Sequence, residues 1–186
     1  MSSYVIRHCK TTKSWDTLSY GSLVRLLRQE SNPSIDFAYI TANLDREKIR
    51  SMRISNVYSS PIKRAMQTAK YIAKIARAHV IPAEQLGEIV FDSLPRSTYY
   101  MGSGAIRSYL VEKSYATKIE FDPGTFEDNS IIVTHGFIMR RIYSSAFGVE
   151  MDSLKNNSMF KEYLSGFDLK TGKKFSLLKS QKAKRC

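Results

Sequence analysis

The sequence predicts an α/β fold, a three-layer α/β/α sandwich around a mostly parallel central sheet with a hairpin at the C-terminus. Short β-prone runs alternate along the chain with helical segments, which is typical of a sheet covered by helices on both faces. Residues 131–134 (IIVT) are β-branched throughout, as expected for a central strand buried on both sides. Residues 160–164 and 175–178 flank a Lys-Thr-Gly-Lys segment, which predicts the terminal hairpin.

The remaining elements follow from apolar spacing and from residues that start or stop helices. The chain is predicted to contain, in order, a strand at 3–7, a helix at about 18–30, a polar helix at 42–52, a strand at 53–58, a helix at about 61–78, a strand at 80–82, a long loop at 83–102, a helix at 105–115, the strand at 131–134 and a helix at 137–147. Asp45 is the expected N-cap of the polar helix. Ser60 is the expected cap of the helix after the second strand, with Pro61 at its first position. Gly148 should end the helix at 137–147.

Length and charge indicate one domain with a basic end. A chain of 186 residues is the size of one ordinary domain, which we place at 1–178, followed by a basic tail at 179–186. The net charge is +12, and residues 170–186 carry seven basic residues and no acid. A solvated tail is the favoured interpretation, and nucleic acid or an anionic membrane surface is the alternative partner.

The sequence also predicts the cellular location of the protein. The apolar runs are too short to span a bilayer, and the N-terminus lacks the apolar core of a signal peptide. Two cysteines cannot build a disulfide framework, so a reducing cytoplasm is the expected location.

Cationic and imidazole side chains follow three of the predicted strands. Arg7 and His8 end the first strand, Arg64 begins the helix after the second, and His135 follows the buried strand. Ligands of open α/β sheets bind at the carboxyl edge of the strands, where these residues are expected. Guanidinium groups suit phosphate oxygens, and a neutral imidazole is a competent nucleophile near neutral pH.

These residues lie in three segments that resemble the motifs of the histidine phosphatase superfamily, the phosphoglycerate-mutase-like proteins. The segments are YVIRH at 4–8, SSPIKRAMQTA at 59–69 and IVTHG at 132–136, and NNS at 156–158 is similar to the family's ending. The matches keep the family order across residues 3–178. The resemblance implies a phosphoglycerate-mutase-like fold and a small phosphatase of branch 1.

The resemblance also implies roles for individual residues. His8 would be the nucleophile that forms a phosphohistidine, while Arg7, Arg64 and His135 would hold the transferred phosphoryl group. Glu88, in a Leu-Gly-Glu segment, is the expected general acid, with Asp92 and Glu84 as alternatives in the same loop. No cofactor and no metal ion is expected, because the arginines neutralise the phosphate.

Several positions depart from the family pattern or remain open. Cys9 stands where the family commonly has glycine, either as a reactive thiol beside two arginines or, the favoured interpretation, as a small buried filler. Lys10 and Ser14 are candidate substrate-binding residues. Residues 99–101 (YYM) either line a pocket for an aromatic leaving group or pack in the cap.

The predicted function is therefore metal-independent hydrolysis of a phosphomonoester through a phosphohistidine intermediate. The substrate would be a phosphorylated small molecule or protein. The alternatives are a phosphoglycerate-mutase-type phosphotransferase and a catalytically weak pseudo-enzyme that binds a phosphorylated ligand. The compact chain, without the long insertions of the larger mutases, favours the phosphatase.

Overall fold

A computed structural model describes residues 2–13, 17–115, 121–154 and 156–180. The described strands are β1 (Tyr4–Arg7), β2 (Asn56–Ser59), β3 (His79–Pro82), β4 (Ser130–Thr134), β5 (Ser165–Asp168) and β6 (Lys174–Ser176). The described helices are α1 (Tyr20–Leu27), α2 (Phe37–Asn43), α3 (Arg46–Ser51), α4 (Lys63–Ala76), α5 (Arg96–Tyr100), α6 (Ser103–Tyr115) and α7 (Gly136–Phe147).

The strands form one sheet in the order β3-β2-β4-β1-β5-β6. The four strands from β3 to β1 run parallel, whereas β5 and β6 form an antiparallel hairpin on the β1 side. β4 lies between β1 and β2, and all five of its residues are buried. The predicted fold class is confirmed.

Alternating side chains divide the core between the two faces of the sheet. On β1, Val5 packs with helices α1, α6 and α7, whereas Ile6 packs on the other face with α2, α3 and α4. On β4, Ile132 shares the face of Val5, and Val133 shares that of Ile6. Successive strand residues point to opposite faces, so burial of both sets requires helices on both sides.

The helix boundaries confirm two predicted signals and correct others. Asp45 caps α3, since its carboxylate accepts from the Lys48 amide, and Gly148 ends α7 in the left-handed conformation. The polar helix predicted at 42–52 is instead two short helices, because Asp36 starts α2 earlier by accepting from the Tyr39 amide. Ser60 does not cap α4, which begins at Lys63 after Ile62 at the N-cap.

Two further segments differ from the prediction. The loop predicted at 83–102 contains the short helix α5, which starts directly after Pro95. The first strand of the hairpin is β5 rather than 160–164, because Phe160 ends a 3-10 turn and Leu164 has a positive φ of 56°. An extended strand therefore starts only after Leu164.

The chain after β6 folds back beside α2. The amide of Lys179 donates to the Asn43 carbonyl at 2.9 Å, and its Nζ donates to the Ala42 carbonyl at 2.6 Å. Residues 181–186, the rest of the predicted basic tail, lie outside the described residues. Among the described helices, none combines the length and the apolar character that crossing a membrane requires.

Candidate active site

The carboxyl ends of the neighbouring strands β1, β4 and β2 bring the predicted residues together. Arg7 pairs with Thr134 in the sheet, and the amide of His8 donates to the Thr134 carbonyl at 3.0 Å. His8 and His135 therefore leave adjacent strands side by side, and their ring centroids lie 5.1 Å apart. Arg64 reaches His8 from the first turn of α4, with 3.3 Å between Arg64 Nε and His8 Nε2.

The hydrogen bonds of His8 define its tautomer. Nδ1 lies 2.6 Å from the Cys9 carbonyl, which can only accept, so Nδ1 carries the proton and Nε2 carries the lone pair. The ring is buried. Burial, followed by His135 and by the positive charges on Arg64 and Arg7, lowers the pKa of His8 well below 6.5. The residue is thus a neutral imidazole at neutral pH.

Arg7 is fixed on the other side of the site by backbone and aromatic contacts. Its Nη1 donates to the Lys161 carbonyl, and its guanidinium carbon lies 4.4 Å from the centroid of the Tyr163 ring. Its Nε is buried and has no hydrogen-bond partner among the described residues. A rigid guanidinium that retains a free donor is suited to bind an anion.

Glu88 lies between Arg64 and His135. Its Oε2 accepts from Arg64 Nη2 in an ion pair and lies 3.2 Å from His135 Nδ1. Its backbone carbonyl accepts from Gln29 Nε2 at 2.8 Å. The two alternative acids, Glu84 and Asp92, are exposed and do not line the central cavity. The geometry therefore favours Glu88 over both alternatives as the acid.

His135 is fully buried behind this ion pair. Its Nε2 lies 2.9 Å from Ser60 Oγ, and its Nδ1 has no hydrogen-bond partner within the described parts of the chain. Burial, then the charges of Arg64 and Arg7, lowers the pKa of His135 well below 6.5. The sequence did not predict the contact between Ser60 and His135, because a Ser-Pro pair is typical of the start of a helix and Ser60 was therefore expected to be a helix cap.

Cys9 occupies the interior, not the phosphate pocket. It is fully buried, and its amide donates to Thr68 Oγ1 at 2.9 Å. Burial, with the negative charge of Asp36, raises the pKa of the Cys9 thiol to about 12. The favoured interpretation as a buried filler agrees with this environment, whereas a reactive thiolate does not.

Of the other two positions predicted at the mouth, the structure describes only Lys10, and it does not bring Lys10 into the site. Lys10 is exposed, lies 5.8 Å from the Tyr39 ring centroid, and does not line the cavity. Ser14 lies outside the described residues.

A cavity of about 380 Å³ opens beside His8, within the size range of small-molecule sites. Several of its lining residues were not singled out from the sequence: Thr11, Lys13, Gln29, Arg107, Lys161 and Tyr163. Arg140 also lines the cavity and donates to the carbonyls of Leu154 and Gly136. Positive side chains thus dominate its charged lining.

The aromatic segment at 99–101 lies away from this cavity. Tyr99 donates its hydroxyl hydrogen to the Leu18 carbonyl, and both Tyr100 and Met101 are exposed. None of the three lines the cavity, and only Tyr99 among them packs against the core, so the interpretation as a leaving-group pocket is wrong. No group of three or more His, Cys, Asp or Glu side chains among the described residues could hold a metal ion.

A neutral imidazole flanked by two guanidinium groups at the carboxyl edge of a parallel sheet is chemically suited to bind a phosphate group. The sequence model of the histidine phosphatase superfamily (branch 1) matches residues 4–101, and the chain belongs to this superfamily. The membership confirms the resemblance and the prediction of a phosphatase-type enzyme. No curated protein sequence matches the chain.

Solved structures of similar fold include several phosphatases and hydrolases. Phosphoserine phosphatase from Entamoeba histolytica is 16% identical, with 97% of this chain and 98% of that chain covered and a TM-score of 0.51. Mycobacterial glucosyl-3-phosphoglycerate phosphatase is 12% identical, with coverages of 83% and 82% and a TM-score of 0.50. Mycobacterial hydrolase 2 is 13% identical, with coverages of 83% and 75% and a TM-score of 0.52. At these identities the likeness concerns the fold.

The two buried histidines predict that the fold weakens as the pH falls below 6.5. Both pKa values are depressed, so between those values and 6.5 the unfolded chain binds protons that the folded chain excludes. In that window each histidine thus lowers the free energy of unfolding by up to about 1.4 kcal/mol for each unit by which the pH falls. Urea unfolding at neutral and mildly acidic pH should show a shallower pH dependence for His135→Gln than for the native protein. An equal dependence of the free energy of unfolding on pH in the two proteins would contradict a neutral, buried His135.

Proposed function

We propose that this protein hydrolyses phosphomonoesters through a phosphohistidine formed at Nε2 of His8, without a metal ion. The observation that carries the proposal is the 2.6 Å hydrogen bond from His8 Nδ1 to the Cys9 carbonyl. This bond fixes the ring and leaves the Nε2 lone pair beside Arg64 at a cavity that Arg7 also lines. Nucleophile and charge-stabilising groups are therefore preorganised around one point.

In the first step, His8 Nε2 attacks phosphorus in line with the ester oxygen. The N–P bond forms as the P–O bond to the alcohol breaks, and the leaving oxygen takes a proton from the Glu88 carboxyl group. Arg7 and Arg64 face the equatorial oxygens, so Arg64 has to exchange its ion pair with Glu88 for the phosphoryl group. That exchange leaves the Glu88 carboxylate beside a phosphate dianion without its counter-ion, so Glu88 takes a proton from solvent and faces the leaving oxygen as an acid.

In the second step, water attacks the phosphorus of the phosphohistidine. Glu88, now a carboxylate, takes a proton from this water as the N–P bond breaks, and the products are inorganic phosphate and neutral His8. His135 is held by Ser60 next to Glu88, which supports a role for its Nδ1–H as a further donor to the carboxylate or phosphoryl oxygens.

Replacing Glu88 with glutamine should separate the two steps. Acetyl phosphate has a leaving group that needs no proton donor, so Glu88→Gln should still transfer its phosphoryl group to His8. Water attack then lacks its base, and turnover should fall by about 10²-fold or more while labelled phosphohistidine accumulates. The measurement is acid-labile, alkali-stable label on the chain, with phosphate release followed in the presence of a chelator.

The exposed Glu84 supplies the matched control, and Glu84→Gln should turn over like the native protein. Label that leaves the native protein only after an acceptor alcohol is added would indicate a mutase-type phosphotransferase. Absence of both label and phosphate release in every variant would contradict the proposal and leave a binding protein.

A further inference from the structure

The position of Glu88 shows where the leaving group of a substrate must lie. In the proposed reaction the leaving oxygen is adjacent to the Glu88 carboxyl group, so the rest of the leaving group occupies the part of the cavity next to it. The end of α1 is joined to this loop. Gln29 donates to the Glu88 carbonyl at 2.8 Å, and the Phe91 amide donates to the Leu27 carbonyl at 3.1 Å.

Much of the lining of the cavity that holds Glu88 is hydrocarbon. Six lining residues form what we term the apolar wall: Leu26, Leu27, Ile89, Phe91, Leu110 and Phe137. They come from α1, the loop after Glu88, α6 and α7, and the Phe91 and Phe137 rings meet edge-on at 5.6 Å between centroids. Four separate elements thus place apolar side chains around the same space.

Neutral polar groups that could satisfy a hydroxyl-rich leaving group are scarce along this lining. The uncharged polar residues are Thr11, Gln29 and Tyr163. Gln29 has one of its two amide hydrogens on the Glu88 carbonyl, Thr11 donates its hydroxyl hydrogen to the Lys13 carbonyl, and the ring of Tyr163 packs on Arg7. A sugar or glycerol placed against hydrocarbon would lose hydrogen bonds to water without replacing them.

Five of the six positive residues of the lining take part in the proposed reaction, are bonded within the fold or are exposed, and the sixth, Lys161, is half-buried. Arg7 and Arg64 face the phosphoryl group, and Arg140 already donates to two carbonyls. Lys13 and Arg107 are exposed, which places them toward the mouth of the cavity rather than against the apolar wall.

We infer that the substrate is a phosphate ester whose leaving group is an apolar alcohol, alkyl or aromatic, packed against the apolar wall beside Glu88. This inference rests on the proposed function, because Glu88 locates the leaving group only if it protonates the leaving oxygen. Burial of apolar carbon in a preformed cavity supplies binding energy that a polyol cannot obtain there.

The test compares two alkyl esters whose alcohols have similar intrinsic reactivity, hexyl phosphate and glycerol 3-phosphate. The expected kcat/KM for hexyl phosphate is at least about tenfold higher, since one methylene in an apolar pocket already gives discrimination of that order. Leu26→Gln should lower the ratio of kcat/KM for hexyl phosphate to kcat/KM for glycerol 3-phosphate. Val24→Gln is the matched control, a half-buried position on the same helix that does not line the cavity, and should leave the ratio unchanged.

A binding measurement separates this inference from the proposed function. Calorimetric titration with hexylphosphonate and with 2,3-dihydroxypropylphosphonate compares the two classes in a protein that need not turn over. Tighter binding of hexylphosphonate, weakened in Leu26→Gln, supports the apolar leaving group. Equal or tighter binding of the dihydroxy compound overturns it. Equal kcat/KM values for the two esters would also overturn the inference of an apolar leaving group, but they would support the proposed phosphatase function. Failure to label His8 would contradict the proposed phosphatase function itself.

Discussion

His8→Asn is expected to abolish phosphate release, with kcat/KM lowered by roughly 10³-fold or more, as for removal of a nucleophile in other covalent enzymes. The asparagine amide can still donate to the Cys9 carbonyl, so the hydrogen bond that orients His8 retains a counterpart. What the variant lacks is the Nε2 lone pair beside Arg64. Loss of activity in a folded His8→Asn protein would therefore report on the nucleophile rather than on the local backbone.

The matched control is His79→Asn, because His79 begins β3 and is exposed. We expect this variant to release phosphate and to carry label on the chain as the native protein does. Phosphate release that persists in His8→Asn, with label recovered at another residue, would show that His8 is not the nucleophile. Circular dichroism and the unfolding midpoint of both variants establish that each is folded.

The sequence was most informative where function and strand ends coincide. Residues 131–134 could be identified as the central strand because a continuous β-branched run is typical of a strand buried on both faces. His8, Arg64 and His135 could be placed together because the carboxyl ends of parallel strands meet at one edge of a sheet.

Prediction failed where a residue's partner lies far away in the chain. Ser60 has a good local role as a helix cap, yet its hydroxyl meets the ring of His135, 75 positions later. A pocket for the leaving group was considered at the aromatic segment 99–101, whereas half-buried Leu26 and Leu27 lie in a segment that was predicted only to be helical. The packing of several elements determines which apolar residues border a cavity, and the helical spacing of apolar residues does not predict that packing.

Gly166→Ala is expected to have the largest effect on stability. Gly166 lies in β5 opposite Ile6 of β1, and an added Cβ would lie 1.9 Å from the Val5 carbonyl oxygen and 2.9 Å from Ile6 Cα. Both are backbone atoms of a central strand, so no rotamer change relieves the contact and β5 has to move away from β1. We expect a loss of more than about 4 kcal/mol in the free energy of unfolding, or failure to fold.

The matched control for this substitution is Gly21→Ala. Gly21 lies exposed in α1, where a Cβ meets nothing within 4 Å, so alanine should stabilise the fold by about 0.5–1 kcal/mol through helix propensity. Urea unfolding of the two variants measures both effects. Because β1 ends in Arg7 and leads into His8, a Gly166→Ala protein that folds should also lose activity through displacement of that strand end. A folded, fully active Gly166→Ala protein would show that β5 does not pack closely against β1.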